Sequence, residues 1–162
     1  MRDKYQEDLE KLNANILKMG KMIEIAIEST VIALMGRDVQ AASTVSENDE
    51  AIDNMEREIE ALCMKLLLQQ QPVATDLRVI TAALKMVTDM ERIGDHAADI
   101  AELVLQIPDC KYNKMDTITE ISTQIIKMIH DSVNSFIQRN YDKAQIVIAQ
   151  DDIVDNLYHE IK

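Results

Sequence analysis

From Ala83 to Val104 the apolar residues Ala83, Met86, Met90, Ile93, Ala97, Ile100 and Val104 recur every third or fourth position without a break. That period is the signature of one buried helical face, and no strand can bury residues so spaced. The same spacing runs through Leu9, Leu12, Ile16, Met19, Ile23, Ile27, Val31 and Leu34, and again through Val45, Ile52, Met55, Ile59, Leu62 and Leu66. Breakers are scarce: three Gly and two Pro in 162 residues. The pattern predicts helices over about 4–35, 39–70, 75–106, 115–140 and 141 to the end, with Gly36 ending the first, Pro72 interrupting the second and third, and Pro108 closing the third before a loop over 107–114. The chain is therefore expected to be all-α.

An apolar content of 47% is ordinary for a globular core, so disorder is excluded. A net charge of −12 disfavours nucleic acid and anionic lipid as direct partners, and favours cations or basic protein surfaces. Cys63 and Cys110 form no C-x-x-C, so both read as small buried hydrophobes in a reducing, cytoplasmic setting. The N-terminus lacks an apolar signal core, and the longest apolar run is Val31 to Met35, too short to span a membrane.

Four acids mirror one another about the proline turn. Asp53 and Asp49 precede Pro72 by 19 and 23 residues, and Glu91 and Asp95 follow it by the same distances. At about 1.5 Å rise per residue, an antiparallel hairpin sets Asp53 level with Glu91 and Asp49 level with Asp95. Each pair is spaced i,i+4, where like charges cost roughly 0.2–0.5 kcal/mol, so a doubled arrangement points to a cation or basic partner that offsets the repulsion. An acidic helix face bathed in solvent is the plainer alternative, with Glu56, Glu60, Asp99 and Glu102 extending the stripe. An oxygen-only donor set suits Mg²⁺, Ca²⁺ or Mn²⁺. Gly94, inside the third helix, costs about 1 kcal/mol relative to Ala and is expected where a neighbouring helix comes close. His96 diverges from Asp95 around the helix and is not expected to add a ligand, His130 and His159 are expected at the surface, Arg92 in an ion pair with nearby acids, and most of the methionines, among them Met19, Met55, Met86 and Met90, in the core.

The chain also repeats itself. A shift of 102 residues sets Arg139 on Arg37, Asp151 on Asp49, Asp155 on Asp53, Glu160 on Glu58 and Ile161 on Ile59, and aligns Ile118, Ile121 and Ile125 with Ile16, Met19 and Ile23. The unit is three helices long, giving a first repeat over 1–110 and the first two helices of a second over 111–162. The counterpart of Glu91 would fall near position 193, so the second repeat reads as incomplete. Its uncovered stripes, with Ile146, Val147, Ile153, Val154 and Leu157, predict an apolar groove and self-association.

Three segments carry a family resemblance: Gln70-Gln71-Pro72-Val73-Ala74-Thr75-Asp76-Leu77-Arg78 at the turn, Asp89-Met90-Glu91-Arg92-Ile93-Gly94-Asp95 in the third helix, and Asp49-x-x-x-Asp53 with its copy Asp151-x-x-x-Asp155. With them the chain resembles the PhoU-type phosphate-uptake regulators. The resemblance implies a duplicated three-helix antiparallel bundle without catalysis, a homo-oligomer (a homodimer), and iron or zinc held by the acid-x-x-x-Asp motifs. Asp49, Asp53, Glu91 and Asp95 would form one such locus and Asp151 with Asp155 half of another, while Pro72, Asp76 and Arg78 belong to the turn motif. It further implies negative regulation of phosphate uptake and starvation signalling, through the phosphate-specific ABC transporter and a membrane sensor histidine kinase. Two other classes compete with this reading, a di-iron carboxylate enzyme and a metal-free coiled-coil scaffold. The enzyme class needs Glu-x-x-His, yet Ile93, Lys127 and Asn156 stand three before the three histidines.

Overall fold

A computed structural model describes residues 2–69, 73–106 and 113–162. These form five helices: α1 (Arg2–Gly36), α2 (Val39–Gln69), α3 (Ala74–Gln106), α4 (Met115–Gln138) and α5 (Tyr141–Ile161). No strand occurs among the described residues. The expected breaks at Pro72 and Pro108, and Cys110, lie outside the described residues.

The apolar stripes meet as their period requires. Leu12, Ile16, Met19 and Ile23 of α1, Ile59, Cys63 and Leu66 of α2, and Ile80, Ala83 and Val87 of α3 are all fully buried in one cluster. Met55 and Met90 join that core, as expected for thioether gap-fillers. At the other end of the bundle Ala33, Leu34, Ala42, Val45, Ala101 and Val104 form a smaller cluster. Helices α1, α2 and α3 pack pairwise, α4 packs on α5, and α4 also lies along α1. Polar ties set the register: Lys65 Nζ lies 2.7 Å from the nearly buried Asp8, joining α2 to α1, and Thr30 Oγ1, 3.1 Å from the Ala97 carbonyl, joins α1 to α3.

The turns leaving α1 and α4 are built alike. Arg37 and Arg139 both adopt left-handed backbone, with φ of 52° and 51°, and the next residue caps the following helix. Asp38 Oδ1 accepts from the N–H groups of Gln40 and Ala41 at 3.0 and 3.1 Å, and Asn140 Oδ1 accepts from that of Lys143 at 2.9 Å. These residues are related by the 102-residue shift, so the repeat extends to backbone conformation. Gly36 ends α1 as expected, as its last helical residue, and Arg37 carries the left-handed turn that follows.

Gly20 lets α1 and α4 touch, since a Cβ there would stand 3.1 Å from Val133 Cγ2. One turn along, the buried Glu24 carboxylate bridges Lys21 Nζ at 2.9 Å and His130 Nδ1 at 3.4 Å. His130 is largely exposed, as expected, yet its ring reaches into this α1–α4 contact. Between α3 and α4, above α1, runs an apolar groove of about 490 Å³ lined by Ile93, Ile100, Ile118, Ile121 and Ile125 among others. Its walls come from α1, α3 and α4, and none of the α5 residues Ile146, Val147, Ile153, Val154 and Leu157 lines it.

Asp131 ties α4 to α5, lying 3.0 Å from Lys127 Nζ and 3.2 Å from Lys143 Nζ. The Lys127 hydrogen bond foremost, with that of Lys143, holds its carboxyl below the usual aspartate range. A depressed folded-state pKa gives stability that is complete above the unfolded value near 4 and is lost as pH falls through the folded value. Comparing urea midpoints of wild type and Asp131→Asn from pH 6 down to 2, the wild-type advantage should be present at pH 6 and vanish at the acid end.

Candidate metal centre

Helices α2 and α3 run antiparallel, and Gly94 sets how closely they approach. A Cβ on Gly94 would meet Ile52 Cδ1 and Cγ2 at 3.1 and 3.2 Å. The residues following each of these contacts, Asp53 and Asp95, are thereby drawn to the same seam. With Asp49, one turn earlier on α2, they form a triad in which one carboxylate oxygen from each lies within 4.8 Å of the others. All three are half-buried.

Asp49 Oδ1 and Asp53 Oδ1 are buried and have no hydrogen-bond partner. A desolvated carboxylate oxygen without a donor costs about 1–3 kcal/mol, more when charged. Arg57 approaches only the other oxygen of Asp53, at 3.9 Å, so the cationic arm stays outside. Burial first, then the charges of Asp95 and Asp53, push the Asp49 carboxyl above the usual aspartate range. Glu91 is likewise raised by burial and then by Asp95, Glu56, Asp53 and Asp49, and Glu56 by burial and then by Glu60 and Asp53. The residues thus crowd negative charge into one seam, with two buried carboxylate oxygens lacking donors. A hard or borderline divalent cation with oxygen coordination fits that donor set.

Glu91 differs from its expected place. It shares the field of the triad but not the cluster of mutually close oxygens. Level positions across a hairpin fix height only, and residues four apart differ by about 40° around the axis, so a seam can admit Asp95 and leave Glu91 at its edge. Asp99 turns outward to His96, 3.9 Å away, so neither adds a ligand to the triad. Arg92 pairs with Asp89 at 3.7 Å, as expected. Asp151 and Asp155 are exposed and join no group of three potential ligands among the described residues. In the turn motif Asp76 is half-buried and Arg78 exposed. The buried Glu24 escaped the sequence reading, because nothing in α1 alone shows that α4 will cover it.

A family model for the PhoU domain matches residues 16–104 and 118–162. The chain belongs to the PhoU family. A "phosphate-specific transport system accessory protein PhoU homolog" of Clostridium acetobutylicum is 40% identical over 161 residues, 97% of this chain and 73% of the relative. The homolog from Aquifex aeolicus is 38% identical over 163 residues, covering 98% and 72%. Among solved structures, PhoU from Pseudomonas aeruginosa superposes with a TM-score of 0.91 at 32% identity, covering 97% of this chain and 76% of that one. The phosphate transport system regulatory protein PhoU from Streptococcus pneumoniae gives 0.89 at 25%, covering 97% and 74%. These relatives are accessory proteins by name, so the di-iron enzyme reading is set aside. No helix among the described residues is long and apolar enough to cross a membrane.

Proposed function

We propose that this chain is a phosphate-transport accessory protein that restrains phosphate uptake and phosphate-starvation signalling, and that a cation held between α2 and α3 is part of its working form. The observation that carries the metal reading is the Asp49, Asp53 and Asp95 triad, with its two buried oxygens that lack a donor. Iron or zinc, as the family resemblance implies, and Mn²⁺ or Mg²⁺ all accept carboxylate oxygen, and the absence of histidine from the triad favours the harder cations. Bound there, the ion would neutralise three converging carboxylates and fix α2 against α3. The partners proposed are the phosphate-specific ABC transporter and a membrane sensor histidine kinase. The relatives, phosphate-specific transport system accessory proteins by name, support the transporter link, and the kinase link comes from the family resemblance.

Asp95→Asn keeps side-chain shape while removing one charge of the triad. In cells whose own copy is deleted, a phosphate-starvation reporter should stay repressed in rich phosphate with the wild-type gene and rise with Asp95→Asn, at equal protein level. Repression by both would refute a regulatory role for the centre. Self-association belongs to the same proposal. It is supported by the apolar groove beside α4 and by Ile146, Ile148 and Ile153 of α5, 59%, 65% and 45% exposed. Sedimentation equilibrium of the 162-residue chain should give a dimer, and a monomer at all concentrations would exclude it.

A further inference from the structure

A second cavity, about 330 Å³ and lined mainly by polar groups, opens where the first turns of α1 and α3 meet the last turn of α4. Asp76 and Arg139 line it, together with Tyr5 and Asn13, above an apolar floor that includes Val79 and Phe136. Each element places its residue for a local reason. Asp76 occupies the first turn of α3, where a carboxylate complements the helix N-terminus. Arg139 stands at the left-handed exit of α4, its N–H donating to the Phe136 carbonyl at 3.1 Å. The buried Tyr5 hydroxyl lies beside the Asp76 carboxylate. Burial first, then the Asp76 charge and a hydrogen bond to its carboxylate, push that phenol's pKa up, so it stays a donor and leaves the rest of the Asp76 carboxylate to face the cavity.

Although opposite in charge and facing one cavity, Asp76 and Arg139 form no ion pair. An anion seated there would meet Asp76, and a cation would meet Arg139. A molecule bearing both charges would satisfy each wall, and its apolar body would cover Val79 and Phe136. The volume is at the small end of ligand sites. We propose that this cavity binds a small zwitterion with an apolar body, of the α-amino-acid kind, its carboxylate on Arg139 and its ammonium on Asp76. The site is separate from the metal centre, draws on both repeats, and uses the turn-motif acid Asp76, which the triad leaves idle.

The test uses the full chain with methyl labelling and L-leucine as the probe. Saturable shifts confined to Leu9, Val79 and Ile137 are expected in the millimolar range or below. Isopentylamine and 4-methylpentanoate, each lacking one charge of leucine, should bind at least about tenfold more weakly, roughly 1.4 kcal/mol. Arg139→Gln and Asp76→Asn should each weaken leucine by a similar factor while the remaining methyl spectrum stays folded. Should a variant unfold, the two analogues alone decide the matter. No saturable shift with leucine, or equal binding of either analogue, would overturn the proposal.

Discussion

Mn²⁺ at about one hundred times its Kd should stabilise the wild-type chain by about 2.7 kcal/mol, and Asp49→Asn should abolish most of that gain. For a domain of this length the shift corresponds to roughly 5–10 °C in Tm. In chelator the order should reverse. The Asp49 carboxyl is raised by burial and by Asp95 and Asp53, meaning that the folded protein disfavours its charge, so the neutral amide relieves strain in the metal-free state. Asp49→Asn should then melt higher than wild type without metal and lower with it. Differential scanning calorimetry in chelator and in Mn²⁺ measures both signs. Equal melting of the two proteins in both buffers would mean that the acids are merely solvated.

The second large effect is steric. Gly94→Leu should destabilise the chain by about 3 kcal/mol, at the upper end of the usual cost of overpacking. A Cβ alone already comes within 3.1 Å of Ile52, and the remaining leucine carbons would have to push α2 away from α3. Because Asp53 and Asp95 adjoin the two contact residues, the Mn²⁺ gain should shrink in the same variant. Gly94→Ala divides the effects: helix propensity favours it by about 1 kcal/mol, while the tight Ile52 contact opposes it. Urea denaturation with and without Mn²⁺ provides the readout. Wild-type stability in Gly94→Leu would show that the close approach of the helices is not needed.

Much of this architecture was legible in the chain itself because helical period is a local property. The stripes from Leu9 to Leu34 and from Ala83 to Val104 identified most of the buried faces, although Ile100 is 43% exposed and lines the groove beside α4, and the mirror spacing about Pro72 identified which acids could share a height. Rotation about each axis is not local. Whether Glu91 or Asp95 enters the seam depends on how α3 is turned against α2, and that is set by the contact of Gly94 with Ile52. The α1–α4 contact was invisible for the same reason, so Glu24 gave no sign of being buried, nor His130 of meeting it. Gly36 ends α1 but does not itself take the left-handed conformation common for glycine after a helix. Here the residue after it takes that conformation, and its repeat counterpart Arg139 does the same.

Anomalous diffraction at the manganese edge, from crystals grown with Mn²⁺, tests most directly whether a cation sits between α2 and α3. The expected result is a peak bounded by the carboxylates of Asp49, Asp53 and Asp95. A peak elsewhere, or none at saturating Mn²⁺, would contradict it.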